Sequence, residues 1–436
     1  MLAAGLHAAD PGPLVRAALR LRGRRLIAAG EAYPLGRGRV LVLAAGKAAP
    51  AMAAAAEQVL GARLAEGVAL SNAPGPPLRR TRLLLAGHPL PDARGVEAAQ
   101  AAEAMVRGLT ADDIVLVLLS GGASALLPAP VPGLSLEDKA AVTARLMRAG
   151  AGITELNTVR KHLSRLKGGG LARAAAPARV VTLVLSDVVG DDLSTIASGP
   201  TVPDPTTYAD ARRILDDRGL GSALPTAALR HLEAGARGEV PETPKPRDPL
   251  FRRVRTRLIG SNRISVEAAA REARRQGLRP LVLTTRLEGE AREVARALVA
   301  ILRECVESGS PAEPPVCLLA GGETTVTVLG DGRGGRNQEM AVAAADLLES
   351  FPVEAVAAFL ATDGVDGASE AAGGVADRTS VPRAQALGLA PPSRFLAASD
   401  SSGFLAPLGD LIITGPTGTN VVDLAVLLAA KRASVL

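Results

Sequence analysis

Apolar runs of strand length, each meeting a glycine-rich turn and then a helix-like stretch, recur along the chain and constrain its fold more than any other feature. RVLVLAAGKAA, DDIVLVLLSGGASALL, ARVVTLVLSDVVGDD, RPLVLTTRLEGEAREVARAL, PVCLLAGGETTVTVL and AVAAFLATDGVDG are the clear cases. A strand that is apolar at every position must be covered on both faces, and alternating helices supply that cover over a parallel sheet. The expected class is α/β. At 436 residues the chain exceeds one ordinary core, so two domains are expected. The polar, Pro-rich stretch ARGEVPETPKPRDPLF, residues 236–251, is the boundary candidate, giving domains over residues 1–240 and 251–436. The C-terminal LAVLLAAKRASVL reads as a closing helix.

Composition narrows the function. The formal charge is +6, but the arginines are interspersed with Glu and Asp, as in EGEAREVARALVAILREC, and no basic run is interleaved with aromatics. That pattern is a solvated mixed-charge surface and argues against nucleic acid. Trp is absent and Phe and Tyr are few, so stacking on aromatic rings is not the expected mode of recognition. Cys305 and Cys317 make neither a metal-type spacing nor a disulfide framework, which fits a cytoplasmic protein. The N-terminus lacks the pattern of a signal peptide, and no apolar run reaches membrane-spanning length. Whether the chain forms a homo-oligomer is left open by its sequence.

The loops after the strands carry the chemistry. The alternating run TTVTVL enters Gly330-Asp331-Gly332-Arg333-Gly334-Gly335-Arg336, which opens into the helical run NQEMAVAAADLLES. Glycines expose backbone N–H groups, a helix start adds more, and arginine offers a fork suited to phosphate or carboxylate. The loop reads as an anion site. Gly330, Gly332 and Gly335 also match the dinucleotide fingerprint, and the acid it requires would be Asp363, which falls somewhat farther along than the pattern asks. A glycine-rich hairpin turn is the plainer alternative.

Lys47 sits at a strand-to-helix turn among small apolar residues, a place for a lysine that faces a cleft or an anion. Ser120-Gly121-Gly122-Ala123-Ser124 follows IVLVLL and offers exposed amides and two hydroxyls. In NTVRKHLSRLKGGGLARA, Arg160 and Lys167 are seven apart, sharing a face if helical, and Gly168-Gly169-Gly170 ends the helix. Asp187, Asp191, Asp363 and Asp366 follow strand ends, where carboxylates suit Mg²⁺ or serve as Asx turns and helix caps. With only four histidines there is no zinc motif, and the serine-hydrolase elbow and full Walker A pattern are missing. Anion cradles, Lys, Arg and Asp form the toolkit of phosphoryl transfer.

Taken in order, GKAA, GHPLPD, SGGAS, TVRKHLSRLKGGGLA, LSDVVGDD, ASGPT, GGETTVTV, GRGGRNQE, ATDGVDG and TGPTGTN closely resemble the glycerate 2-kinase, or MOFRL, family, from about Arg39 to Asn420. The resemblance implies two α/β domains, the first Rossmann-like with a mainly parallel sheet and the second smaller, with the active site in the cleft between them. It also implies transfer of the ATP γ-phosphoryl group to the C2 hydroxyl of D-glycerate, with Mg²⁺. Lys47 matches the family's GKAA lysine and Arg336 its GGRNQE arginine, both taken as catalytic; Asp187 matches its SDV aspartate and Asp363 its TDG aspartate. Within that frame Ser120, Gly121, Gly122 and Ser124, with Arg160, Lys167, Gly168 and Gly169, are expected to cradle phosphates. Asp187 and Asp191 are expected to hold Mg²⁺, and Asp187 or Asp363 to orient the C2 hydroxyl. An NAD(P)H-dependent hydroxypyruvate reductase using Gly330–Gly335 is the alternative.

Overall fold

A computed structural model describes residues 1–28, 30–221 and 223–431, and the chain forms two compact units. One is Pro11–Ile259; the other is Met1–Asp10 together with the chain from Gly260 onward. The division at Ile259–Gly260 leaves the Pro-rich stretch inside the first unit. There Glu242 accepts from the Tyr208 amide and Thr243 donates to Asp204, so the stretch is tied down by its polar side chains.

The first unit begins with a small antiparallel sheet, β1 (Leu19–Arg22), β2 (Arg25–Ala28) and β3 (Glu31–Pro34). Its main sheet contains β4 (Val40–Ala45), β5 (Leu64–Ser71), β6 (Thr81–Leu85), β7 (Ile114–Leu119), β8 (Arg179–Leu185) and β9 (Val254–Gly260), in the order β6-β5-β4-β7-β8-β9. The pairs among β4 to β8 are parallel. Every residue of β4 and β7 is buried, as their unbroken apolar sequences require. From β4 the chain moves outward to β5 and β6, then returns to β7 on the other side. The strand order therefore reverses at β4/β7, and in open α/β sheets the crevice beyond such a reversal is where ligands bind. Helices Leu136–Arg148, Ile153–His162, Tyr208–Asp217 and Thr226–Ala236 form a separate apolar cluster around Val142, Leu146, Val159, Leu215 and Leu232.

The second unit has a mixed sheet of β10 (Arg279–Leu287), β11 (Val316–Gly322), β12 (Ala355–Ala361), β13 (Gly373–Asp377), β14 (Leu411–Ile412) and β15 (Asp423–Ala429). The order is β10-β11-β15-β12-β13-β14, with β10 and β11 parallel and the other pairs antiparallel. The expected closing helix is corrected here: Asp423–Ala429 is β15, inserted between β11 and β12, and residues 432–436 of that reading lie outside the described residues. A short apolar run carries no period, and burial on both faces of a sheet satisfied it better than one helical face. TTVTVL is likewise not a strand. β11 stops at Gly322, and beyond it the run makes only a bridge between Thr325 and Glu290. Helix Arg336–Leu348 is buried through Asn337–Ala345, its alanines allowing close approach to the sheet. Among the described residues, no helix is long and apolar enough to cross a membrane.

Candidate active site

The turns after β4 and β7 are laced together at the sheet's reversal point. The Lys47 amide donates to the Gly121 carbonyl at 2.8 Å, and the Ala48 amide to Ser120 Oγ at 3.0 Å. Gly46 has φ +128°, and a Cβ there would stand 2.2 Å from Ser120 Oγ, so a side chain is excluded at this crossing. A Cβ at Gly121 would stand 2.2 Å from Asp187 Oδ2. One at Gly122, with φ +84°, would stand 3.0 Å from the His88 ring and 3.4 Å from Lys47 Cγ. Lys47, Asp187 and His88 therefore gather around the two glycines. His88 was not singled out from sequence, although its place in GHPLPD, in a chain with four histidines, was the available signal.

On its other side the same loop leads to a cluster centred on Ser124. Arg160 Nη2 donates to Ser124 Oγ at 2.8 Å, and Lys167 Nζ donates to that oxygen at 2.7 Å and to the Ser124 carbonyl at 2.9 Å. Ser198 Oγ lies 3.0 Å from Ser124 Oγ and donates to Asn157 Oδ1 at 3.1 Å. Ala197 and Ser198 both hold φ near +60°, a left-handed conformation that non-glycine residues adopt at a cost and that is concentrated at functional sites. Neither Arg160 nor Lys167 has a carboxylate partner among the described residues. Burial holds the Arg160 guanidinium below its ordinary range. Burial and the nearby Arg160 and Lys139 charges push the Lys167 ammonium well below its own.

Two expectations about this segment change. Arg160 and Lys167 do not share one helix: the helix ends at His162, and they converge on Ser124 from separate segments. The Gly168 and Gly169 amides are not a phosphate cradle either, because they donate to the Ser198 and Gly199 carbonyls at 3.0 and 2.7 Å. These glycines serve close packing instead: a Cβ on Gly168 would meet Asp204, and one on Gly169 would meet Pro244 and Phe251.

Asp187 stands just beyond β8, and Asp191 follows in the same loop with φ +60° and its amide bonded to the Val188 carbonyl. The neighbouring Asp192 carboxylate is engaged by Ser194 and Thr195. Among the described residues no three His, Cys, Asp or Glu side chains gather as a metal cage. Mg²⁺ bound with a nucleotide asks for less, one or two carboxylates alongside phosphate oxygens and water, and Asp187 beside the glycine loop fits that demand.

In the second unit, Arg336 opens helix Arg336–Leu348 and grips Asp423 of β15 with Nε and Nη2, at 2.5 and 2.9 Å; its Nη1 reaches Glu323 at 3.1 Å. Burial raises the Asp423 carboxyl to about 6, with Asp366 and Glu323 adding to the rise and Arg336 opposing it. A cleft of about 500 Å³ is lined by Glu323, Arg336, Glu339 and Ser401 among others. The helix start itself is occupied by protein: Asp366 accepts from the Asn337 amide at 3.1 Å and the Gln338 amide at 2.8 Å. The glycines pack equally close to the chain, Gly332 against Asp400, Gly334 against Ser401 and Gly335 against Asp366. The reading of this helix start as an anion cradle is thereby corrected, because an internal carboxylate already takes the Asn337 and Gln338 amides. Asp363 accepts from the Val365 amide at 3.2 Å, an Asx turn.

Comparison with known proteins agrees with this architecture. Residues 1–233 match the family model described as a domain of unknown function, DUF4147, and residues 316–423 match the MOFRL family. The chain is 42% identical over 429 residues to a glycerate 2-kinase of Pyrococcus horikoshii, covering 98% of this chain and 95% of that protein. It is 43% identical over 396 residues to an Agrobacterium vitis protein provisionally named hydroxypyruvate reductase, covering 90% and 87%. A solved glycerate kinase of Thermotoga maritima superposes with a TM-score of 0.87 at 37% identity, covering 98% of this chain and 97% of that one. With similarity of this extent along nearly its whole length, the chain belongs to the glycerate 2-kinase family.

Proposed function

We propose that the protein transfers the γ-phosphoryl group of ATP to the C2 hydroxyl of D-glycerate, giving 2-phosphoglycerate and ADP. The observation that carries this reading is the loop Ser120–Ser124 at the strand reversal, with Lys47 and Asp187 against its glycines and Arg160 and Lys167 on its final hydroxyl. Phosphoryl transfer asks mainly for positioning and charge neutralisation, which such a loop provides. Arg160 and Lys167 would hold phosphate oxygens, and Lys47 would neutralise charge on the transferred group. Asp187 would orient the C2 hydroxyl and accept its proton late in transfer.

Mg²⁺ bound with ATP would be held by Asp187, with Asp191 in the same loop, and would supply further neutralisation of phosphate charge. Arg336 would take the glycerate carboxylate. Its Nη1 partner Glu323 is the more exposed of its two carboxylates, 45% against 10% for Asp423, and is the one an anionic substrate would displace. The reductase reading needs a dinucleotide phosphate where the Asp366 carboxylate sits.

The test is incubation with D-glycerate, ATP and Mg²⁺, with the product identified by ³¹P NMR. A 2-phosphoglycerate resonance is expected. No phosphoryl product, together with NADH oxidation on adding hydroxypyruvate, would replace this reading with the reductase.

A further inference from the structure

Helix Leu136–Arg148, which packs on the helix that carries Arg160, buries a third cation that the sequence did not mark. Lys139, on helix Leu136–Arg148, is 6% exposed, and its Nζ has no hydrogen-bond partner among the described residues. The charges that act on it are those of Arg160 and Arg165, while Lys139 and Arg160 both act on Lys167. Arg165 is already matched by Glu103, at 2.9 and 2.7 Å. On helix Ile153–His162, which packs on the Lys139 helix, Glu155 is paired with Arg218, Lys161 with Asp204 and His162 with Glu242. Helix Thr226–Ala236, also packed there, carries Arg230, His231 and Glu233; of the groups on these two helices only Arg160 acts on Lys139. Arg160 and Lys167 thus meet at the Ser124 hydroxyl, Lys139 lies within charge–charge range of both, and none of the three has a carboxylate partner among the described residues.

A buried ammonium with no partner and like charges around it is unfavourable, and such groups concentrate where a ligand resolves the imbalance. We propose that Lys139 completes an anion pocket with Arg160 and Lys167 around the Ser124 hydroxyl, and that it takes up a proton when a phosphate group enters. In the unliganded protein the Lys139 amine is pulled down to about 7 by burial, with Arg160 and Arg165 adding to the effect, so above pH 7 it is mostly neutral. An entering anion supplies the missing countercharge, and the amine regains its proton from solvent. The assignment rests on the kinase reading only for the source of the phosphate.

The experiment is calorimetric titration of the full chain with ADP at pH 8, in HEPES and in Tris, whose ionisation enthalpies differ. ADP is fully ionised at that pH, so any proton uptake belongs to the protein. Uptake of most of one proton is expected, fading below pH 6 where Lys139 is already charged. Lys139→Met should halve that uptake or better and weaken ADP binding about tenfold. Binding without uptake, equal uptake in Lys139→Met, or no ADP binding would each overturn the proposal. Uptake seen with D-glycerate but not ADP would overturn it too, by making the anion a carboxylate. Thermal melts at pH 8 guard against misfolding: Lys139→Met should melt no lower than the parent chain, and a lower melt would make the amine structural. Product detection by ³¹P NMR is separate, so either reading can fail without the other.

Discussion

The Asp187 carboxylate occupies the place where a side chain on Gly121 would begin, with Oδ2 only 2.2 Å from that Cβ position. Gly121 also accepts the Lys47 amide, so one residue sets the positions of two groups from different strands. Gly121→Ala must push Asp187 aside or shift the backbone that holds Lys47. Displacements of an ångström at a reacting centre cost about 100-fold in rate. A fall in kcat of about that size is expected, with stability reduced by about 1–3 kcal/mol as for an overpacked site. Steady-state kinetics beside a urea melt checks it, and near-parent kcat would remove Asp187 from the chemistry.

Arg336 cannot be replaced by alanine without consequences for the fold. Its side chain is 28% exposed and Asp423 10%, so losing the guanidinium leaves a mostly buried carboxylate alone. A loss of about 1–3 kcal/mol is expected for Arg336→Ala, less than for a fully buried pair. The paired change Arg336→Met with Asp423→Asn should recover part of that stability while turnover stays absent. Recovery of turnover along with stability would make Arg336 a structural residue only.

Asp366 holds the start of helix Arg336–Leu348 through both amides and the side chains of Asn337 and Gln338. Asp366→Ala removes this cap inside a buried region, where unpaired donors are costly. Destabilisation of about 2–4 kcal/mol is expected in chemical denaturation. Since Arg336 is the first residue of that helix, the variant should also raise KM for D-glycerate.

The parts of the site that were legible in sequence are those set by strand ends. Unbroken apolar runs announced β4, β7 and β8, and the glycine turns beyond them placed Lys47, Ser120–Gly122 and Asp187 on one rim. What escaped depended on which amide finds which carbonyl. Gly168 and Gly169 look like open donors until the Ser198 and Gly199 carbonyls are in place, and the glycine loop before Arg336 looks like a phosphate cradle until Asp366 fills it. Lys139 was invisible because LEDKAAVTARL has the mixed charge of a solvated helix face, and only packing against other helices buries that one amine. β15 was misread because an apolar run buried on both sides has no period to betray its state.

The Asp423 carboxyl gives a pH signature whose sign follows from its burial. Its folded value of about 6 lies above the ordinary aspartate value near 4, so between these limits the folded chain binds more protons than the unfolded one. Stability from this group therefore falls as pH rises from about 4 to about 6, and the cost is fully present above 6. Measured against Asp423→Asn, which does not titrate, the parent chain should lose on the order of 2 kcal/mol across that window. Activity should run the opposite way. Below pH 6 the protonated carboxyl no longer fixes the Arg336 guanidinium through charge, so kcat/KM for D-glycerate should decline with an apparent pKa near 6. Denaturation melts from pH 4 to 7 and a matching rate profile check both directions. A stability difference that rises with pH would mean that the attraction of Arg336 outweighs burial, and the carboxyl would then titrate below its ordinary value.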